Sequence, residues 1–299
     1  MMAARMIPDT VGELRKNEPM SRHTSWRVGG PAELFFRPAS VDDLSQFLAG
    51  LESDVPVFWF GLGSNLLVRD GGLPGVVIAA SGIFSALEQS GDFEATAGAS
   101  VPCTQLARQC IRWGLAPAEF FAGIPGTLGG ALAMNAGAHG GETWERVRSV
   151  TTIDRHGVLH TRSPDDYKIG YRSVDGPAGE WFVSAVLGFD PQATASMDDM
   201  KAMLERRKET QPLGLPSCGS VFRNPPGDHA ARLIESCGLK GCRIGDAEVS
   251  EKHANFIINR GEATALDVEN LILHVQHTVE DATGVRLVPE VRIVGREPS

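Results

Sequence analysis

The chain has 299 residues and carries 28 basic against 37 acidic side chains, a formal net charge of -9, so it has no positive field to attract a polyanion and we expect no nucleic-acid partner. Glycine is abundant, with 34 residues, about 11% against a usual level near 7%. No collagen-type period or internal repeat accompanies it and 42% of the residues are hydrophobic, which excludes fibrous, repeat and disordered proteins and suffices for about two domains.

The first half of the chain is predicted to alternate helices with strands. Residues 1–20 are polar and aperiodic, and we interpret them as a tail. A capping pattern at Ser40 followed by one apolar face predicts the first helix. The apolar run 55–60 is too short for a helix and predicts a buried strand, and helical spacing returns over 100–113.

The second half is predicted to be a sheet followed by a separable unit. Short β-like pieces alternate with turns across 148–194, and an acid-started helix begins at Ser196. The remaining predicted elements are a helix at 230–237, a strand at 254–259, a long helix from Thr264 and a final strand at 287–294. We therefore predict an α+β or mixed α/β pattern with a boundary near 195–215.

The cysteine count and hydropathy place the chain among intracellular proteins. Five cysteines form no C-x-x-C pair, which argues against a disulfide framework and a zinc site. His274 and His277 are three apart on a predicted helix but lack partner residues, so we interpret them as a solvated face and expect no metal site. No stretch reaches the roughly 20 apolar residues that cross a bilayer. We expect a cytoplasmic monomer without membrane insertion.

The glycines are clustered in loops, chiefly at 61–72 and 123–141. Such loops let backbone N–H groups approach a ligand without a Cβ in the way, and they suit a diphosphate. The alternative is that they are only tight turns. One cluster alone would favour that alternative, but several in one chain favour a binding site.

The known glycine-loop signatures narrow the choice of nucleotide site. The loop at 61–66 begins like the dinucleotide fingerprint G-x-G-x-x-G, but Leu66 occupies the last glycine position, so a Rossmann site is disfavoured. The chain has no G-x-x-x-x-G-K-[ST] pattern, which excludes a P-loop.

Five motifs in chain order resemble those of the UDP-N-acetylenolpyruvoylglucosamine reductase family. They are GLGSNLL at 61–67, GIPGTLGG at 123–130 with NAGA at 135–138, KIGYR at 168–172, GSVFRNP at 219–225 and LVPEV at 287–291. The match covers residues 21–295. Any one motif is weak, but five in register are specific.

The resemblance implies the fold. It is an α+β fold with a two-subdomain FAD-binding region of the vanillyl-alcohol-oxidase (PCMH) type and a C-terminal α+β substrate-binding domain. We expect a tail at 1–20, an FAD-binding domain at 21–195 divided into about 21–85 and 86–195, and the substrate domain at 196–299. Only 48 positions separate Arg172 from Ser220, which resembles the shorter, second type of the family.

The resemblance also implies the reaction and its ligands. NADPH reduces noncovalently bound FAD and leaves, and the reduced flavin then reduces the enolpyruvyl UDP-sugar in peptidoglycan synthesis. His139 lies in a glycine-rich loop and suggests covalent flavin attachment as an alternative, but the family binds FAD noncovalently. The implied cofactor contacts are Gly61, Gly63, Ser64, Asn65, Leu66, Gly123, Ile124, Pro125, Gly126, Gly129, Gly130, Asn135 and Gly137.

Three residues resemble the family's catalytic set. Ser220 resembles the general acid, while Arg172 and Glu290 resemble the pair that stabilises the enolic intermediate. A guanidinium suits this task because it can grip a carboxylate at two points. Without the family, Ser220 would be interpreted as part of a turn and Glu290 as a surface ion-pair partner. The implied substrate-side residues are Asn224, Arg292, Arg207, His253 and Tyr171.

Two other functions stay open at this point. One is another FAD-dependent oxidoreductase of the same fold, although the presence of all three catalytic residues argues against it. The other is a noncatalytic nucleotide-binding protein. Failure to bind FAD would favour the second.

Overall fold

The computed structural model describes residues 7–194 and 196–298. The chain divides into two compact units, and neither is one continuous stretch. The first unit comprises residues up to 15, 35–61 and 76–205, and the second unit comprises 16–34, 62–75 and 206 to the end. The sequence-based domain boundaries stay a prediction; residues 1–6 of the predicted tail and residue 195 lie outside the described residues.

The helices begin and end at recognisable signals. Ser40 caps the first helix through a bond from the Asp43 N–H to its Oγ (3.1 Å), and Thr264 caps the last in a capping box with Asp267. Gly284, in the left-handed conformation, ends that last helix. The helices are α1 (Val41–Gly50), α2 (Cys103–Arg112), α3 (Leu128–Met134), α4 (Met197–Thr210), α5 (Ala230–Ser236) and α6 (Ala265–Thr283).

The strands form several small sheets. In chain order they are β1 (Glu13–Pro19), β2 (Pro31–Arg37), β3 (Val57–Phe60), β4 (Leu66–Val68), β5 (Leu73–Ala79), β6 (Leu87–Gly91), β7 (Glu94–Gly98), β8 (Gly137–Ala138), β9 (Gly141–Glu142), β10 (Val147–Asp154), β11 (Leu159–Arg162), β12 (Lys168–Gly170), β13 (Ser173–Asp175), β14 (Glu180–Gly188), β15 (Arg243–Ile244), β16 (Ala247–Val249), β17 (Ile257–Asn259) and β18 (Arg292–Val294). One four-stranded sheet has the order β1-β2-β5-β3.

The first unit is built on an antiparallel five-stranded sheet of order β11-β10-β14-β7-β6. Its core includes α2, whose Cys103, Leu106 and Cys110 are buried as the helical spacing predicted. The core continues through Phe121 and Leu128 of the glycine-rich region. The loop at 123–130 is therefore anchored in the hydrophobic core of the first unit.

The second unit packs α6 against the antiparallel sheet β15-β16-β17. Val268, Leu271 and Val275 lie on the buried face of α6. β18 pairs in parallel with β4, so Arg292 lies opposite Leu66. The end of the chain is thereby joined to the first glycine-rich loop.

The structure corrects two interpretations of the sequence. The predicted tail contains β1, which the sequence hides because its buried residue is Glu18, paired with His23 at 2.9 Å, rather than an apolar side chain. The final strand begins at Arg292 instead of 287. The preceding residues pair elsewhere, because Pro289 forms an antiparallel bridge with Phe222 and the Glu290 N–H bonds to the Val221 carbonyl.

We predict that core packing of α6 stabilises the second unit, and two leucines of that helix test it. Leu271 is 0% exposed and Leu273 is 43% exposed. Leu271→Ala should lower the free energy of unfolding by about 2–5 kcal/mol, while Leu273→Ala should change it by no more than about 0.5 kcal/mol. Denaturant unfolding followed by circular dichroism measures both. Equal losses would contradict the burial of Leu271 in the core of the second unit.

Candidate active site

In the first unit, the start of one predicted flavin loop lies beside the other predicted flavin loop. Gly61 follows β3, and a Cβ added there would stand 3.5 Å from Thr127 Oγ1 in the second loop. Gly126 has a φ of +108°, which favours glycine, and a Cβ at Gly130 would meet nothing within 4 Å. The loops at 61–66 and 123–130 carry no charged side chain. Open space bordered by neutral backbone fits an anionic diphosphate, so these residues fit FAD.

The segment after α3 is organised by Asn135. This residue ends the helix in the left-handed conformation, with φ of 42°, and is 1% exposed. Its Nδ2 donates to Glu142 Oε2 (2.7 Å) and to the Gly170 carbonyl (3.2 Å), and its Oδ1 accepts from the Trp144 N–H (3.1 Å). The side chain therefore joins the glycine-rich segment to the motif that carries Arg172.

Arg172 is held by backbone carbonyl groups at the end of α3. Its Nη2 donates to the Gly137 carbonyl (2.7 Å) and its Nη1 to the Asn135 carbonyl (3.3 Å). Its Cζ lies 5.2 Å from the ring centroid of Tyr171. These contacts, together with a φ of 53° at Arg172 itself, fix the position of the guanidinium.

Ser220 and Glu290 lie on adjoining segments of the second unit. Ser220 follows Gly219, whose φ of +74° requires a glycine-like turn. The next residue, Val221, accepts a bond at its carbonyl from the Glu290 N–H (2.7 Å). Both site residues are half-buried. The structure thus brings these two predicted catalytic residues together.

Asn65 connects the first glycine loop to the Glu290 segment. Its Nδ2 donates to the Glu290 carbonyl (3.1 Å), and its own carbonyl accepts from the Arg292 N–H (3.1 Å). The Gly63 carbonyl accepts from the Ser25 N–H (3.1 Å). In the second unit, residues 62–66 therefore hold a segment with a predicted catalytic residue.

Comparisons with known proteins agree over the whole chain. A family described as "FAD binding domain" matches residues 32–163, and "UDP-N-acetylenolpyruvoylglucosamine reductase, C-terminal domain" matches 211–294. The chain is 63% identical to the UDP-N-acetylenolpyruvoylglucosamine reductase of Alkalilimnicola ehrlichii, over 100% of both chains. It is 55% identical to that of Methylococcus capsulatus, over 98% of this chain and 97% of the relative. The chain belongs to the UDP-N-acetylenolpyruvoylglucosamine reductase family.

A solved structure supports the same assignment. The crystal structure of the reductase from Thermus caldophilus superposes with a TM-score of 0.80 at 32% identity, covering 95% of this chain and 99% of that one. The predicted family, the α+β FAD-binding fold with its C-terminal domain, and FAD as cofactor are confirmed. The reductase is an FAD-containing oxidoreductase. Among the described residues, no helix is long and apolar enough to cross a membrane, and no cluster of metal-binding side chains occurs.

The predicted substrate-side residues lie in both units of the reductase. Tyr171 is in the first unit and is 49% exposed. In the second unit, Asn224 Oδ1 accepts from the Ala230 N–H (3.1 Å) at the start of α5, and Arg207 Nε donates to Gln211 Oε1 (2.9 Å). Arg292 is exposed and lies at the start of β18.

Burial changes the ionisation of two of these groups. It lowers the pKa of His253, whose ring packs edge-on against Phe256 at 4.7 Å, so the imidazole is favoured in its neutral form. Burial also lowers the pKa of Arg207, but a guanidinium remains charged at neutral pH. The second unit therefore presents a neutral ring and a fixed positive charge.

Sequence reasoning missed one residue beside Ser220. Asn255 is 4% exposed and bonds to the backbone of Val221 and Phe222. The available signal was a polar residue within the predicted strand 254–259, which is otherwise apolar apart from Asn259 at its end. A buried polar side chain needs hydrogen-bond partners, but the sequence does not indicate which groups they are.

Cys218, two residues before Ser220, is predicted to be unreactive. Burial raises the pKa of the Cys218 thiol to about 12, as it does for Cys103 and Cys110, whereas Cys237 and Cys242 are half-buried. Because the thiolate is the reactive form, iodoacetamide at about pH 8 should label Cys237 and Cys242 first. Peptide mass spectrometry measures labelling, with denatured protein as the control. Rapid labelling of Cys218 in the native protein would contradict this prediction.

Proposed function

We propose that this chain reduces UDP-N-acetylglucosamine enolpyruvate to UDP-N-acetylmuramate with NADPH, through FAD, in bacterial peptidoglycan synthesis. The observation that carries the proposal is 63% identity to a named reductase along the entire chain. Arg172, Ser220 and Glu290 are all present in the motifs where the resemblance requires them. NADPH is the co-substrate.

The glycine-rich loops would hold FAD. Backbone N–H groups in these loops, at 61–66, 123–130 and Gly137, can approach the cofactor closely and donate to it. The Asn135 side chain shapes its loop, because its amide is bonded to Glu142 and to the Gly170 carbonyl. The chemistry that FAD supplies when bound is hydride transfer from NADPH to the substrate. The chain's own residues provide position, charge and a proton.

Ser220 would deliver the proton to the carbon next to the substrate carboxylate. A hydroxyl alone is a weak acid, so its proton must be delivered at short range within a charged network. We assign Glu290, together with Arg172, to stabilising the enolic intermediate. The Glu290 N–H bonds to the Val221 carbonyl (2.7 Å), which keeps its segment beside that of Ser220. The Ser220 Oγ is thus the proposed proton-donating atom.

Arg172 would grip the substrate carboxylate as negative charge develops. The carbonyl groups of Asn135 and Gly137 orient its guanidinium, a planar group with five N–H donors. A preorganised cation costs little reorganisation during the reaction, so it stabilises the charged intermediate more than the ground state.

Substrate recognition is assigned to Asn224, Arg292, Arg207, His253 and Tyr171. Two of these carry the positive charge that a UDP diphosphate needs, since the chain as a whole is negative at -9. We assign FAD binding to 21–195 and the sugar to 196–299. The expectation of a cytoplasmic monomer stays a prediction.

We expect the purified protein to be yellow and to oxidise NADPH only when the enolpyruvyl UDP-sugar is present. The reason is that the reduced flavin needs this acceptor to complete a turnover. Absorbance of NADPH, with UDP-N-acetylglucosamine as the control sugar, measures the dependence. NADPH oxidation at the same rate without the enolpyruvyl sugar would refute the substrate, and protein that stays colourless after incubation with FAD would refute the flavoenzyme assignment.

We expect Ser220→Ala to separate the two half-reactions. Flavin reduction by NADPH needs no proton from Ser220 and should stay near wild type, whereas reduction of the sugar should slow by roughly 10²–10⁴-fold. Stopped-flow flavin absorbance measures each step. Ser217→Ala, three residues earlier in the same loop, is the control and should alter neither. Equal losses in both steps would argue against a proton donor.

A further inference from the structure

We infer that Asn255 is a positioning residue for reduction of the sugar, because it clamps the backbone segment directly after Ser220. The inference rests on the proposed function, in which Ser220 donates the proton. Asn255 does not belong to the catalytic set that the family resemblance implies. Its role is inferred from hydrogen bonds within the second unit.

The clamp is a two-point bond to a single residue. Asn255 Oδ1 accepts from the Phe222 N–H (2.9 Å), and Asn255 Nδ2 donates to the Phe222 carbonyl (2.8 Å). The Asn255 carbonyl accepts from the Val221 N–H (2.9 Å). The side-chain amide therefore satisfies the Phe222 N–H and carbonyl groups, as a neighbouring strand would in a sheet.

Burial makes this clamp rigid. Asn255 and Phe222 are both buried, and the Phe222 ring belongs to the core of the second unit. A buried amide that loses its partner remains unsatisfied, so the bonds are costly to break. Ser220 thus lies between Gly219, a flexible residue type, and a segment fixed by both core packing and Asn255.

The clamp also sets the position of Glu290. The Val221 peptide group on the Ser220 side is bonded through its N–H to Asn255, and the Val221 carbonyl accepts from the Glu290 N–H (2.7 Å). A shift of Val221 would therefore move Ser220 and disturb Glu290 together. Small displacements of a reacting group of about 1 Å can cost about 10²-fold in rate.

The chain contains a matched control in Asn259. It is also buried, at 5% exposed, and its Nδ2 donates to the Trp26 carbonyl (3.0 Å) while its Oδ1 accepts from the Gly261 N–H (2.8 Å). Its side chain holds backbone as Asn255 does, but that backbone is not the Ser220 segment. A general loss of packing should follow either substitution, whereas misplacement of Ser220 should follow only one.

The experiment compares Asn255→Ala, Asn259→Ala and Ser220→Ala in the full-length, flavin-loaded protein. Thermal unfolding measures stability, and stopped-flow absorbance measures flavin reduction by NADPH and reoxidation by the enolpyruvyl sugar. Asn255→Ala should slow reoxidation by about 10–100-fold and leave flavin reduction within about 3-fold. Asn259→Ala should lower the unfolding temperature without this selective loss.

The outcomes separate the inference from the proposed function. If Asn255→Ala and Asn259→Ala change both half-reactions alike, the positioning role is overturned while Ser220 keeps its own test. If Ser220→Ala reduces the sugar at the wild-type rate, the proton-donor assignment fails first, and the role of Asn255 fails with it.

A second variant decides the matter if Asn255→Ala does not fold. Asn255→Asp keeps an acceptor for the Phe222 N–H but loses the donor to the Phe222 carbonyl when ionised. Protonation restores a donor, and burial favours the protonated acid. Its rate of sugar reduction relative to wild type should rise as pH falls from about 8 to about 5, with flavin reduction unchanged. Thermal unfolding over the same range shows whether the acid ionises, because a raised pKa makes stability fall as pH rises. If stability falls with rising pH while sugar reduction stays at the wild-type rate, the inference is overturned.

Discussion

Buried and half-buried asparagine side chains satisfy the backbone groups of the loops on which the candidate site is built. A loop has N–H and carbonyl groups that no helix or sheet pairs, and buried groups of this kind need partners. Asn135 bonds to Gly170 and Trp144 in the first unit. In the second unit Asn255 bonds to Phe222 and Asn65 to Glu290. The short side-chain amide both donates and accepts, which suits it to this task.

The same constraint explains how an acidic chain can handle anionic ligands. Its net charge of -9 gives no general attraction for FAD, NADPH or a UDP-sugar. Neutral glycine-rich backbone and individually placed arginines are the remaining means of binding. Arg172 shows the principle, because the carbonyl groups of Asn135 and Gly137 accept hydrogen bonds from its guanidinium and orient it.

Local signals predicted much of the fold. The caps at Ser40 and Thr264 and the buried spacing on α2 and α6 correspond to the observed helices. Elements without a local apolar pattern were missed or displaced. β1 buries Glu18 instead of a hydrophobic side chain, and the segment before β18 contains Pro289. In both cases the backbone conformation depends on pairing with residues distant in sequence, and a local sequence pattern does not identify those residues.

The sequence by itself determined the family, the flavin chemistry and the identity of the catalytic candidates, because five motifs occur in one order along the chain. Tertiary structure alone decided which side chains hold those candidates. Glu290 is 70 positions after Ser220, yet its N–H bonds to the residue next to that serine, and Asn65 reaches the Glu290 carbonyl from 225 positions away. Hydrogen bonds across such separations depend on the folded backbone, which no spacing along the chain specifies.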